Sequence, residues 1–126
     1  MAFHIIIVDD SPAMRAFISR IVDVSGLAVG QCLEASDGLE ALDLLRTHWV
    51  DIILTDINMP DINGLELISF LKNHPIYKSI PIMVISTEST AEDRKRAAAL
   101  GVEEYLSKPF EAPELVDKLR RLVGVA

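Results

Sequence analysis

The stretch IILTDINMPDING, Ile52 to Gly64, decides the fold. Ile52, Ile53 and Leu54 form a short apolar run of the kind a parallel strand covered on both faces needs. The run stops at Thr55, and Asp56 follows. Pro60 and Gly64 read as turn formers, with Asp61 and Asn63 as turn residues, before a helical pattern opens at Leu65. In an open α/β sheet, ligands bind outside the carboxyl ends of the strands. Asp56 lies at such an end. An acid there could equally start a turn or cap the next helix, so its meaning depends on what the other strands end in.

Upstream, Phe3 to Val8 reads as a first strand ending in Asp9-Asp10. Ser11-Pro12 opens a helix, with Ser11 as cap and Pro12 in the first turn. Met14, Phe17, Ile18, Ile21 and Val22 recur at helical spacing, and Ser25-Gly26 ends the run. Val29 to Ala35 is a second, weaker strand. Asp37 is placed to cap a helix whose apolar face is expected from Leu39, Leu42, Leu45 and Trp49. The third strand spans Asp51 to Thr55. Downstream, Leu65, Leu67, Ile68 and Leu71 mark a helix ending near His74-Pro75. Ile80 to Ile85 is the fourth strand, Ala91 to Leu100 a helix stopped by Gly101, Glu103 to Ser107 a short fifth strand, and Pro113 to Val123 the last helix. Five strand–helix units in alternation predict a parallel sheet with helices on both faces, an α/β fold. No repeat, linker or low-complexity tract divides it, so residues 1–126 read as one domain.

Composition narrows the function. Half the residues are hydrophobic, enough for a packed core, and no apolar run approaches the roughly 20 residues that span a bilayer. MAFHIIIVDDS reads as a strand rather than a signal peptide. Cys32 is the lone cysteine, which excludes an internal disulfide and a Cys-based zinc site and suits a cytoplasmic protein. A net charge of −7 argues against general nucleic-acid binding. His4, His48 and His74 are dispersed and read as surface or packing residues. Arg94-Lys95-Arg96 reads as a solvated helix face.

The strand ends carry the chemistry. Asp9-Asp10, Asp56, the hydroxyl pair Ser86-Thr87, and Lys108 all fall on one edge of the sheet. Three acids brought together repel one another unless a cation sits among them. Oxygen ligands without His or Cys point to a hard ion, Mg²⁺ or Mn²⁺. A carboxylate can also act as a nucleophile and form an aspartyl-phosphate, with the metal and Lys108 neutralising the phosphoryl group in flight.

VDDS, TDINMPDING, the hydroxyl pair after Val84-Ile85, and SKPF together resemble the receiver domain of two-component response regulators, in its single-domain chemotaxis type. The resemblance covers the whole chain. It implies a flavodoxin-like doubly wound parallel sheet of strand order 2-1-3-4-5. By position, Asp56 is similar to the phosphoacceptor, and Asp9 and Asp10 to the acid pair that holds Mg²⁺, Asp10 directly and Asp9 more through water. Asn58 would give its backbone carbonyl to the metal, and Lys108, before a cis Pro109, would contact the phosphoryl oxygens. Counting back from Lys108 puts the switch hydroxyl at Ser86, with the adjacent Thr87 as the other candidate. Tyr105 resembles the aromatic switch residue. By the same resemblance, Asn58 and Glu88 would flank the path of an attacking water, where an amide and an acid imply a short-lived phosphoryl state.

What the resemblance implies is a cytoplasmic, monomeric signalling switch that phosphorylates and dephosphorylates itself rather than an enzyme acting on others. A histidine kinase would supply the phosphoryl group. With the sequence ending at Ala126, output is expected through another protein. The Glu88-Ser-Thr90 run followed by Asp93-Arg94 looks like the chemotaxis branch, with a flagellar switch protein as partner. A phosphorelay intermediate or phosphate sink, trading with a histidine phosphotransfer protein, is the rival within the family. A haloacid-dehalogenase-like phosphohydrolase also uses an Asp nucleophile and Mg²⁺, but it expects a second acid where Asn58 stands and a longer chain. A flavodoxin-like cofactor binder would need a phosphate-binding loop where Asp9-Asp10 would repel one.

Overall fold

The computed structural model describes residues 2–59, 63–87 and 90–124. Its elements run β1 (Phe3–Val8), α1 (Pro12–Val24), β2 (Val29–Ala35), α2 (Gly38–Thr47), β3 (Ile52–Thr55), α3 (Gly64–Lys72), β4 (Ile82–Ser86), α4 (Ala91–Leu100), β5 (Glu104–Ser107) and α5 (Ala112–Val123). The five strands form one sheet in the order β2-β1-β3-β4-β5, and every pairing is parallel. This is the doubly wound, flavodoxin-like arrangement the sequence implies. The central strands alternate their side chains between two covered faces, which is why they are mostly apolar. Ile6, Val8, Ile53, Ile82 and Val84 meet α2, α3 and α4 on one face. Ile5, Ile7, Ile52, Leu54, Met83 and Ile85 meet α1 and α5 on the other.

Local chemistry sets the helix starts. Ser11 accepts from the Met14 amide, Asp37 from Glu40 and Thr90 from Asp93, each occupying one of the amides a helix leaves unpaired. Gly101, at φ 95°, ends α4 in the left-handed region.

Several sequence expectations are displaced. Asn63 is the N-cap of α3, in a capping box with Glu66, rather than a turn residue. Gly64 is the first residue of that helix and buried rather than a turn former. α3 stops at Lys72, short of His74-Pro75. α2 buries Ala41 and Leu45, while Leu39 and Trp49 are over half exposed. Trp49 lies beyond the helix and donates its indole N–H to Asp51. Asp51 itself precedes β3, and its carboxylate accepts from the His4 amide and the Trp49 indole. Ile80 and Pro81 precede β4 although Ile80 is buried, so the apolar run outlasts the strand. Pro60, Asp61 and Glu88 lie outside the described residues.

Candidate functional site

The carboxyl ends of β1, β3, β4 and β5 converge. The Asp56 amide donates to the Val8 carbonyl at 2.9 Å, so the residue after β3 is tied to the end of β1. The Lys108 amide donates to the Ser86 carbonyl at 2.9 Å, tying the residue after β5 to the end of β4. Backbone bonds of this kind carry the strand register one residue past each strand. Asp9, Asp10 and Asp56 therefore arrive with one carboxylate oxygen each lying within 4.8 Å of the others.

The three acids differ in exposure. Asp9 and Asp56 are buried and Asp10 is exposed. Both Asp9 oxygens are engaged: Oδ1 accepts from the Ser11 amide at 2.9 Å and Oδ2 from Lys108 Nζ at 2.8 Å. Asp56 Oδ1 accepts from the amides of Ile57 (2.6 Å) and Asn58 (3.3 Å), and Oδ2 from Lys108 Nζ at 3.0 Å. One ammonium thus bridges two buried carboxylates. Burial alone pulls the Lys108 pKa down, but the hydrogen bonds it donates to Asp9 and Asp56 and their charges outweigh it, and the net shift is upward. A lysine raised above its ordinary value in the fold stabilises fully below that value. Its contribution is lost only as the pH climbs through the shifted, alkaline pKa, so Lys108 is charged at neutral pH.

Ser86 is fully buried as the last residue of β4, opposite Ser107, whereas Thr87 is exposed. Tyr105 is half-buried on β5, and the Arg94 guanidinium of α4 lies 4.8 Å from its ring centroid. Arg94 also donates to the Ser107 hydroxyl. Arg94 is therefore anchored to β5 and is not merely part of a solvated face. Asn58 is exposed beside Asp56. The Lys108–Pro109 bond is cis.

One residue at this edge goes unread in the sequence. Arg15 of α1 donates through Nη1 to the Asp9 main-chain carbonyl at 2.6 Å and through Nε to Glu34 at 3.1 Å. The available signal is its position. A cation in the second turn of a helix with no acid in its first turn opposes the helix dipole, and so needs another reason to be there.

The donor set fits a hard divalent ion: three carboxylates, no sulfur or imidazole, and an open side at Asp10 where water or a phosphate oxygen could complete a shell. A parallel α/β sheet carrying three acids and a lysine on one edge defines a class of phosphoryl-handling protein. Residues 5–120 match the response regulator receiver domain, and the chain belongs to that family. It is 31% identical, over the full length of both chains, to the polar-differentiation response regulator DivK of Brucella ovis. It is 30% identical to the chemotaxis response regulator CheY4 of Vibrio cholerae, whose structure superposes with a TM-score of 0.86 over 97% of this chain and 99% of that one. The phosphorylated cyanobacterial phytochrome response regulator RcpA is 26% identical, with a TM-score of 0.83 over 97% and 91% of the two chains. No helix among the described residues is long and apolar enough to cross a membrane.

Proposed function

We propose that this response regulator works in the cytoplasm and takes a phosphoryl group on Asp56 from the phosphohistidine of a histidine kinase. The observation that carries the reading is the single ammonium of Lys108 shared by Asp56 and Asp9. A carboxylate oxygen of Asp56 bonds to phosphorus as the P–N bond of the phosphohistidine breaks, and the electron pair and a proton go to the imidazole. Lys108 faces the incoming phosphoryl oxygens and offsets their charge. The amides of Ile57 and Asn58 hold the carboxylate in place. Asp9, Asp10, Asp56 and the Asn58 carbonyl would hold Mg²⁺ (or Mn²⁺), which when bound supplies Lewis-acid neutralisation of the transferring group. Ser86, buried at the neighbouring strand end, is the hydroxyl that turns to the phosphoryl group, and Tyr105 is the ring that follows it. The change biases the α4–β5–α5 face, which a partner protein reads. Water attack on the aspartyl-phosphate then resets the switch.

A flagellar switch protein, in chemotaxis, is the partner that the likeness to CheY4 and the Thr90-x-x-Asp93-Arg94 pattern support. The equally full-length likeness to DivK favours a second reading, a role in polar differentiation; a relay or sink role, exchanging phosphoryl groups with a histidine phosphotransfer protein, is the further alternative. Capture of partners with the acyl-phosphate-activated chain separates them.

Incubation with acetyl phosphate and Mg²⁺ is expected to add the mass of one phosphoryl group, and Asp56→Asn to abolish the gain. A gain that survives the substitution would place the chemistry elsewhere. After removal of the donor, the added mass should decay within seconds to minutes, as Asn58 beside the acceptor and the acid Glu88 imply. Persistence for many hours would refute that part.

A further inference from the structure

The proposed transfer leaves one mostly buried cation beside the acids without a task. The Arg15 side chain is 16% exposed and reaches from α1 to two groups that belong to neither the metal shell nor the phosphoryl path. One is the main-chain carbonyl of Asp9; the other is the carboxylate of Glu34 on β2. The peptide unit is planar, so the Asp9 carbonyl and the Cα of Asp10 share one plane. Whatever fixes that carbonyl fixes the N–Cα bond of Asp10, the axis about which its side chain is then set by φ. On its other side, Asp9 is already held by the Ala35 carbonyl at its amide, by Ser11 at Oδ1 and by Lys108 at Oδ2. Arg15 supplies the remaining anchor, and it acts on the side of the exposed acid.

We infer that Arg15 is a positioning residue for the divalent-cation site: it braces the Asp9–Asp10 peptide against Glu34 and so aims the Asp10 carboxylate. The inference rests on the metal reading above. Groups that orient metal ligands without touching the metal commonly set affinity by about 10–100-fold.

Charge and orientation predict opposite signs, which makes the inference testable. Arg15 carries a positive charge near a cation site. If charge were its only effect, Arg15→Ala would tighten Mg²⁺ binding. If it aims Asp10, the same substitution weakens binding despite the lost repulsion. The experiment is calorimetric titration of MgCl2 into the full chain, with the fold of each variant checked by far-UV circular dichroism. R15A is expected to bind Mg²⁺ about tenfold more weakly. Arg15→Lys, which can still donate to the Asp9 carbonyl, should recover most of the affinity. Glu34→Gln, which loosens only the far end of the brace, should weaken binding less than R15A; if R15A fails to fold it carries the test at high salt, where the effect of its own lost negative charge is screened. The loss in R15A should persist at high salt, where a pure charge effect is screened. Affinity in R15A equal to or tighter than wild type, or no effect of E34Q in the absence of a folded R15A, overturns the brace. Failure of the wild-type chain to bind Mg²⁺ would instead overturn the metal reading, and the brace with it.

Discussion

Replacing Gly64 by alanine is expected to lower the melting temperature by about 10 °C, from roughly 3 kcal/mol of overpacking. A Cβ at this position would lie 2.0 Å from the Asp56 carbonyl oxygen, 2.6 Å from Ile57 Cα and 2.9 Å from the Asp56 carbonyl carbon. All three are backbone atoms, so no side chain can turn aside. The Gly64 amide also donates to the Ile57 carbonyl at 2.7 Å, which holds the two segments in this close approach. Relief therefore requires α3 to move off the loop that follows β3, breaking that bond and displacing Asp56. Against a total stability of about 5–15 kcal/mol the loss is large, yet it leaves most of the chain folded at room temperature. Phosphoryl uptake by that folded fraction should fall as well, because the acceptor is moved. A thermal melt within about 2 °C of wild type would show that the contact is not as tight as the geometry says.

The second large effect is at Lys108, where two measurements should move in opposite directions. Lys108→Ala is expected to slow phosphorylation by acetyl phosphate by about a hundredfold or more, as when one preorganised charge donor is deleted from a transfer site. It should at the same time tighten Mg²⁺ binding by about tenfold, because the ammonium competes with the ion for oxygens of Asp9 and Asp56. Stopped-flow or mass-resolved kinetics reads the first, and calorimetry the second. A lysine that merely held the fold together would weaken both. Unchanged kinetics would remove Lys108 from the transfer step.

The order of elements was legible in the sequence because strand and helix impose different periods on their apolar residues. β1, β2 and α4 match their expected spans residue for residue. The site acids were legible because each follows the end of an apolar run, and the topology brings those ends to one edge. Four things were hidden. Boundaries blurred where apolar residues continue past a strand, as at Ile80, since burial and strand pairing are separate requirements. Asn63 looked like a turn residue because turns and N-caps use the same side chains for the same amide-binding reason. Gly64 looked like a turn former because its role, room for a neighbouring backbone, leaves no local pattern. Arg15 was hidden for a related reason: its partners, Asp9 just past β1 and Glu34 on β2, are far apart in sequence, and only the β1–β2 pairing brings them together.

α4 buries Ala97 alone, whereas α3 buries Leu67, Ile68 and Leu71 along with Gly64. At roughly 0.8 kcal/mol per buried methylene-sized group, α3 is held to the sheet several times more strongly. The amides of α4 should therefore open to solvent by a local excursion well below global unfolding, and those of α3 only near it. The helix that follows the Ser86 strand thus rests on far less apolar burial than the helix before it. In the proposed switch, a modest push from the acid edge would suffice to shift its population, and the binding energy of a partner would do the same from the other side.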